Sequence, residues 1–77
     1  KEGYYYFFHE NGQLAVQGEY QWDEKVGDWT GFYPNGKRKK IITYPKEPFD
    51  ETVRPYVKAE WNDKGKELYR NNKMAAK

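Results

Sequence analysis

The amino-acid sequence predicts an all-β fold, a single antiparallel β-meander of about six strands built from repeated hairpins. The first observation behind this prediction is an internal repeat in which residues recur 24 positions later: Gly3, Tyr5, Phe8, Asn11, Gly12 and Tyr20 return as Gly27, Trp29, Phe32, Asn35, Gly36 and Tyr44. The second is that each copy places a glycine turn between two ring-rich runs, the pattern of a β-hairpin. The third is that helical spacing of apolar residues is not sustained along the chain.

The turns are the strongest local signals for the individual strands. Asn11-Gly12 and Asn35-Gly36 are expected to form two-residue type I′ turns, since these residue types tolerate the positive φ that such turns need. Lys64-Gly65 is a weaker version of the same signal. A short helical turn is expected in 72–77. The strands are predicted, in chain order, at Tyr4–His9, Leu14–Tyr20, Asp28–Tyr33, Arg38–Tyr44, Tyr56–Trp61 and Glu67–Tyr69.

The whole chain, residues 1–77, is expected to form one repeat domain. Its repeats are placed at about 3–26, 27–55 and 56–70, and the tail at 71–77. The third copy is offset by 29 residues rather than 24 because an irregular segment is inserted before it. That segment, Pro45–Pro55, contains three prolines, which cannot occupy a central strand.

The predicted turns also fix which residues face each other across the sheet. The pairs expected in the first two hairpins are Phe8 with Ala15, Phe7 with Val16, Trp29 with Ile42, and Phe32 with Lys39. Alternation along these strands puts aromatic rings on both faces, whereas a half-buried antiparallel sheet is apolar on one face only. The excess aromatic surface must be covered by Phe49 and Val53 of the 45–55 segment, by curvature of the sheet, or by another molecule.

Composition limits the chemistry that the chain can perform. Cysteine and serine are absent and His9 is the only histidine, which excludes a thiol or serine nucleophile, a disulfide framework and a cysteine or histidine zinc site. The carboxylates are scattered, and no spacing indicates an acid/base pair. His9 stands where the second copy has Tyr33 and is interpreted as a ring substitute. We therefore predict a noncatalytic protein without a cofactor or a bound metal.

The second unit carries a recognisable motif. The run Gly27-Asp-Trp-Thr-Gly-Phe-Tyr-Pro-Asn-Gly-Lys37, followed by Tyr44, resembles the variant MORN repeat (membrane occupation and recognition nexus) of bacterial antitoxin-like and envelope proteins. The first unit looks like the same element with Tyr5 in the tryptophan position, and the third departs from it by replacing asparagine with Lys64. The resemblance implies an elongated sheet of stacked hairpins that holds a partner protein or, in some relatives, lies near lipid.

Seven aromatic residues are candidate binding residues. Flat rings with a polar group are typical of protein-binding and glycan-binding surfaces, although a place in the repeat core is the alternative for each of them. Trp22 lies in a connection and either folds over the sheet or marks a contact surface. Phe49 belongs to the inserted segment, and ordered loops on a regular scaffold often determine specificity. The other five are predicted on one face of the sheet: Tyr5, Tyr20, Trp29, Tyr33 and Tyr44.

The only basic run of the chain is Lys37, Arg38, Lys39 and Lys40. In a regular strand this run divides, with Arg38 and Lys40 on one face and Lys37 and Lys39 on the other. Binding to anionic lipid or nucleic acid needs a broader basic field than a net charge of +2 provides. We favour a solvated strand that resists edge-to-edge aggregation, and nucleic acid is not an expected partner.

The leading functional hypothesis is a protein-protein interaction or scaffold module. More specifically, the chain could be an antitoxin-like or immunity-like inhibitor or an envelope binding protein. The alternatives are glycan or cell-wall recognition through exposed rings and association with an anionic lipid surface. Homo-oligomers or neighbouring repeats are also considered, since terminal hairpins of an array expose their edges. The chain opens on Lys1, as expected of a processed or excised fragment, so the envelope or periplasm and the cytoplasm both stay open as compartments.

Overall fold

A computed structural model of the chain describes residues 2–71 as one open antiparallel β-sheet. The sheet is a single layer with extents of 36 × 33 × 12 Å. The helical turn expected in 72–77 lies outside the described residues. The strands lie in chain order, which confirms the predicted meander: β1 Gly3–Phe8, β2 Leu14–Gln21, β3 Glu24–Phe32, β4 Arg38–Tyr44, β5 Tyr56–Trp61 and β6 Glu67–Arg70.

Strand β3 begins at Glu24 rather than at the predicted Asp28, because the chain reverses sharply before it. Trp22 and Asp23 both have positive φ, 54° and 63°, and Gln21 pairs directly with Glu24. Two left-handed residues between paired strands form a hairpin turn of type I′. The first two repeats are therefore joined by a tight turn and not by a linker.

The glycine turns at the opposite end of the sheet are not of type I′, so that part of the prediction was wrong. In the first of them, His9 N donates to the Gln13 carbonyl oxygen at 2.8 Å, and Gly12 N donates to the His9 carbonyl oxygen at 3.0 Å. Gly12 has a φ of +90°, whereas Asn11 does not adopt positive φ. This is a three-residue loop in which a type I turn is followed by a left-handed glycine. The other two glycine turns have the same bonds.

The three-residue turns shift the strand pairing beside each turn. Phe8 therefore lies opposite Leu14, and the predicted partner Ala15 is wrong. In the second hairpin Phe32 likewise lies opposite Arg38 and not opposite Lys39. Farther from the turns the register is confirmed for two pairs: Phe7 with Val16, and Trp29 with Ile42.

The glycine turns are hydrogen-bonded to one another along the end of the sheet. Nδ2 of Asn11 donates to the Pro34 carbonyl oxygen at 2.8 Å, and Nδ2 of Asn35 donates to the Asp63 carbonyl oxygen at 2.7 Å. Each asparagine also accepts, through Oδ1, the backbone N–H two residues further on, at 2.9 Å. We call the bonds between successive turns the turn ladder. Each asparagine thus shapes its own turn and links it to the next repeat.

The residues that open the first two turns, His9 and Tyr33, each add a bond to the turn ladder. His9 Nε2 lies 2.8 Å from the Phe32 carbonyl oxygen, and the Tyr33 hydroxyl donates to the Trp61 carbonyl oxygen at 2.9 Å. Because a carbonyl oxygen only accepts, His9 carries a hydrogen on Nε2. His9 therefore links the first repeat to the second as Tyr33 links the second to the third.

The turn ladder predicts that Asn35→Asp destabilises the fold. Aspartate keeps the Oδ1 acceptor for the Lys37 N–H but cannot donate to the Asp63 carbonyl oxygen. We expect the free energy of unfolding to fall by about 1 kcal/mol, measured by urea denaturation followed by circular dichroism. Lys64→Ala, at the equivalent place in the third turn, is the control and should change it by less than about 0.5 kcal/mol. Equal losses in both variants would show that the ladder bond contributes nothing.

The core of the described residues is small and rests on two tryptophans. Its buried apolar members are Ala15, Val26, Trp29, Ala59 and Trp61. The 45–55 segment does not cover the sheet with the two side chains expected to do so, since Phe49 is 65% exposed and Val53 is 42% exposed. Aromatic surface is therefore left in solvent, because a single-layer sheet of this size cannot enclose all its rings.

Candidate functional site

Four of the seven candidate rings meet on one face of the sheet. Tyr5, Tyr20 and Tyr44 surround Trp29, whose ring centroid lies 5.7, 5.0 and 6.4 Å from theirs in that order. Tyr5 and Tyr20 also contact each other edge to face, with centroids 5.8 Å apart. We call these four residues the ring cluster. They come from four consecutive strands, so the strand pairing itself assembles the cluster, and the three tyrosines stay half-buried.

Trp29 is the buried centre of the ring cluster. A Cβ at Gly18 would lie 2.0 Å from Cδ2 of Trp29, so the indole packs directly on the backbone of β2. Trp29 Nε1 donates to the Glu19 carbonyl oxygen at 3.1 Å, and Lys25 Nζ lies 5.0 Å from the centre of the indole, within cation–π range. The side chain is 7% exposed. Trp29 therefore holds the cluster together, and the three half-buried tyrosines around it carry the cluster's accessible surface.

Tyr33 lies apart from the ring cluster. Its hydroxyl is bonded in the turn ladder to the Trp61 carbonyl oxygen, and Lys39 Nζ lies 5.7 Å from the centre of its ring. Its polar group is thus used within the fold. The spacing of the repeats predicts that Tyr33 recurs at a fixed position but does not reveal this hydrogen bond.

Trp22 and Phe49 are exposed aromatic residues on an unusual backbone. Their φ angles are 54° and 66°, in a region that bulky side chains rarely adopt. Trp22 is 70% exposed and therefore does not fold over the sheet, which was one of the two alternatives for it. Its N–H donates to Oε2 of Glu2 at 2.6 Å. Defined turns thus hold both rings in solvent.

A groove lies between the Trp22 turn and the 45–55 segment, and we call it the end groove. Its volume is about 640 Å³. Tyr20 and Tyr44 of the ring cluster line it together with Phe49, and Lys25 is the basic residue of its lining. The carboxylates along it come from both sides: Asp23, Glu24, Glu47, Asp50 and Glu51. The end groove is therefore aromatic and acidic, although the chain as a whole has a net charge of +2.

Asp50 shapes the 45–55 segment through Thr52. The Thr52 hydroxyl and the Thr52 N–H both donate to Oδ1 of Asp50, and these bonds lower the pKa of the Asp50 carboxyl below its ordinary value of 3.8. A carboxyl whose pKa is lowered by folding stabilises the fold at pH above its unfolded pKa. That contribution is lost as the pH falls through the lower, folded pKa.

We expect Thr52→Ala to raise the pKa of Asp50 toward 3.8, because the hydroxyl bond that favours the charged carboxylate is removed. The measurement is an NMR titration of the Asp50 side-chain carboxyl carbon. Thr43→Ala, whose hydroxyl bonds Asp28 instead, is the matched control and should leave the Asp50 titration unchanged. An Asp50 titration that is the same in Thr52→Ala and in the wild type would contradict this assignment.

The basic run Lys37–Lys40 is partly engaged within the fold. The register shift beside Arg38 interrupts the alternation predicted for its side chains. The guanidinium of Arg38 lies 4.4 Å from the centre of the Trp61 ring, and Lys39 lies over Tyr33 as described above. Cations placed over aromatic rings in this way are attracted to the ring faces and so are held against the surface of the sheet. The run does not present four free charges in one direction.

Sequence reasoning missed the exposed rings of strand β1. Tyr4, Tyr6, Phe7 and Phe8 are each more than half exposed. The repeat equivalent of Phe8 in the third unit, Trp61, is only 6% exposed, because β5 has a neighbouring strand on both sides. The signal that could have found these residues is their place in the first strand of an open array, which has a neighbour on one side only.

The described residues offer neither a metal centre nor a membrane-spanning helix. Between residues 2 and 71, no group of three or more His, Asp or Glu side chains could hold a metal ion. The same part of the chain contains no helix that is both long and apolar enough to cross a bilayer.

Hairpins repeated along one open sheet, with successive turns bonded to each other, define a β-hairpin repeat protein that presents surfaces and shallow grooves. The family model described as the MORN repeat variant matches residues 1–21 and 25–44. This match covers more than half of the 77 residues, so the chain belongs to the MORN repeat variant family. Comparisons with curated proteins and with solved structures gave no match.

Repeats of this family are generally associated with binding to proteins or to membrane lipids. The family is in general a non-enzymatic repeat module. The matched residues include β1, β2, β4 and all of β3 except its first residue, Glu24, whereas the third hairpin, β5 and β6, lies outside the match. That hairpin nevertheless has the same turn bonds as the first two.

Proposed function

We propose that this chain is a noncatalytic protein-binding module whose partner docks at the end groove and on the turn beside it. The anchoring side chains are Phe49 of the groove lining and Trp22 of that turn. The observation that carries the proposal is the exposure of these two rings on left-handed backbone, 70% and 65%. Such a conformation costs about 1–2 kcal/mol for a residue other than glycine. Neither ring is buried in the fold, so partner contact is the function that accounts for their position.

The composition of the end groove supports a protein partner with basic and apolar side chains. Tyrosine and phenylalanine provide area for apolar contact, and clustered rings of this kind are enriched among the residues that dominate protein interfaces. Five carboxylates against Lys25 make the lining acidic. Electrostatic complementarity therefore favours lysine or arginine on the partner, and the association should weaken as salt is added.

The two other classes of ligand have less support. Sugar stacking needs open ring faces. Trp29 does not offer one, because Gly18 on β2 and the stacked ring of Tyr5 cover it. The ring cluster therefore has no open indole face, and only Trp22 and Phe49 are exposed among the candidate rings. Association with anionic lipid needs free cations, whereas Arg38 and Lys39 are stacked on rings. Inhibition of a toxin-like partner and a scaffold role at the envelope are both consistent with docking at the end groove, and the partner's identity distinguishes them.

The test is selection of a random peptide library against the immobilised chain, followed by affinity measurements on the selected peptides. We expect enrichment of peptides that combine lysine or arginine with apolar residues. Trp22→Ala and Phe49→Ala should each weaken binding of the selected peptide by about tenfold or more, as truncation of an interface anchor does. Tyr69→Ala removes an exposed ring from β6, far along the sheet order from the Trp22 turn, and serves as the matched control.

Two results would contradict the proposal. One is enrichment of peptides whose binding is the same in wild type, Trp22→Ala and Phe49→Ala. The other is saturable binding of soluble chitin oligosaccharides, or of phosphatidylserine vesicles in a salt-sensitive manner, with no peptide selected. The first of these ligands would support glycan recognition, and the second would support the lipid-surface alternative.

A further inference from the structure

In the sheet formed by residues 2–71, strand β1 is an edge strand of unusual composition. Its sequence, Gly3–Phe8, contains five aromatic residues and no charge. Natural proteins usually protect an open edge with lysine, proline, a bulge or a short strand, because its unpaired backbone groups bind other strands. β1 has six residues and no charged side chain, so it lacks two of these protections. It is therefore suited to pair with a further strand.

The backbone of β1 alternates between the sheet and the open edge. His9 N donates toward β2, to the Gln13 carbonyl oxygen. In an antiparallel strand, alternate residues form their backbone bonds on the same side. The residues at every second position before His9 therefore bond to β2. The residues between them are Tyr4, Tyr6 and Phe8, and their N–H and C=O groups face outward. These three residues provide regularly spaced donors and acceptors along the edge.

The other edge of the sheet, β6, differs in each of these respects. It has four residues, and Glu67 and Arg70 form an ion pair on it at 2.9 Å. In the turn that precedes it, Oδ1 of Asn62 accepts the N–H groups of Lys64 and Lys66. Asn62 has the same position in the third turn as Tyr33 has in the second. Its side chain bonds within its own turn, whereas the side chain of Tyr33 bonds to the next repeat. β6 is a protected edge, and β1 is not.

We propose that two copies of this chain pair antiparallel through β1, around a two-fold axis that passes through Tyr6. In that register each aromatic residue of β1 faces another ring across the interface, on the same side of the sheet: Tyr4 opposite Phe8, Tyr5 opposite Phe7, and Tyr6 opposite its own copy. The outward-facing residues then meet as hydrogen-bonded pairs. Cross-strand aromatic pairs stabilise antiparallel sheets, and an isologous contact closes after two copies.

The proposal is independent of the proposed function. The residues that line the end groove come from two segments, 20–25 and 44–55, and none of them belongs to β1. The dimer therefore carries two end grooves on one continuous sheet, and loss of pairing leaves each groove in place. A failure of peptide selection at the groove and a failure of dimer formation are consequently separate results.

The first measurement is sedimentation velocity of the 77-residue chain over a series of concentrations. We expect a concentration-dependent shift from a monomer of 9.3 kDa to a species of twice that mass and no larger one. Tyr6→Lys places two like charges opposite each other at the axis and should weaken the dimer about tenfold or more. Leu68→Lys makes the same kind of change on β6 and should leave the dimer unaffected. A monomer at every concentration, or open-ended growth, would overturn the proposal.

The second measurement fixes the register and uses the absence of cysteine from the chain. Single cysteines at positions 4 to 8 are oxidised in turn, and the fraction of covalent dimer is read on a non-reducing gel. In a hydrogen-bonded antiparallel pair the Cα atoms are about 5.5 Å apart, which a disulfide spans. Tyr6→Cys should therefore give the highest yield, because only this position faces its own copy. A maximum at another position, or equal yields throughout, would contradict the Tyr6 axis.

Discussion

Replacement of Trp29 by alanine is expected to unfold a large part of the population. The indole is the centre of the ring cluster and one of two buried tryptophans, and its removal leaves Tyr5, Tyr20 and Tyr44 without the ring that they pack against. A buried tryptophan truncated to alanine costs about 3–5 kcal/mol. A chain of this length has a total stability of about 4–12 kcal/mol, so the loss is comparable with the lower end of that range.

The measurement for Trp29→Ala is urea denaturation followed by circular dichroism. Trp22→Ala is the matched control, because it removes the same side chain from an exposed turn, and it should change the free energy of unfolding by less than about 0.5 kcal/mol. Similar losses for both tryptophans would contradict the division into a core indole and a surface indole. A pull-down that fails with Trp29→Ala reports loss of the fold, so Trp22→Ala is the informative variant for binding.

Gly18→Ala is expected to destabilise the fold by about 3 kcal/mol, a large effect for one methyl group. The added Cβ would lie 2.0 Å from Cδ2 and 2.2 Å from Cε2 of Trp29, well inside van der Waals contact. The indole must then move away from β2, which breaks its hydrogen bond to the Glu19 carbonyl oxygen and its packing on Tyr5. The free energy of unfolding of Gly18→Ala, from urea denaturation, checks this expectation.

A double-mutant cycle isolates the cause of the Gly18 effect. When Trp29→Ala is already present, Gly18→Ala should cost less than about 1 kcal/mol, because the ring with which it collides is gone. Gly31→Ala is the second control, since its Cβ would meet nothing closer than 3.9 Å in the same strand array. Additive losses in the double variant would mean that Gly18 is needed for a reason other than the Trp29 ring.

The strands and their order were predictable because the repeat itself carries the information. Ring-rich runs and glycine turns recur at a fixed spacing, so each hairpin supports the assignment of the next. The turn type was not predictable, because Asn-Gly suits a type I′ turn and also a type I turn followed by a left-handed glycine. The choice between them depends on whether His9 N bonds to Gln13, which spacing does not reveal.

The start of β3 was missed for a different reason. Trp22-Asp23 has only part of the composition of a two-residue turn, since aspartate tolerates positive φ but tryptophan does not favour it. The turn forms because Gln21 and Glu24 on either side of it pair across the sheet. Local preference is overridden by strand pairing at this position, and such conflicts are expected at functional sites.

The candidate site was predictable in part. The spacing of the repeats brings Tyr5, Tyr20, Trp29 and Tyr44 to one face, as the ring contacts bear out. The spacing does not indicate which ring is buried, because Trp29 is buried against Gly18 of the neighbouring strand, a residue without a side chain. The role of the four rings in binding stays a prediction, and the end groove depends on the fold of the inserted 45–55 segment, which has no counterpart in the other repeats.

The most direct test of the docking surface is an NMR titration of the chain with the peptide selected against it. The three indole Nε1–H signals report the three tryptophans separately. The proposal predicts a shift of the Trp22 signal together with residues of the end groove, while Trp29 and Trp61 change little. Shifts confined to Lys37–Lys40, or to the β6 edge, with Trp22 and Phe49 unchanged, would contradict it.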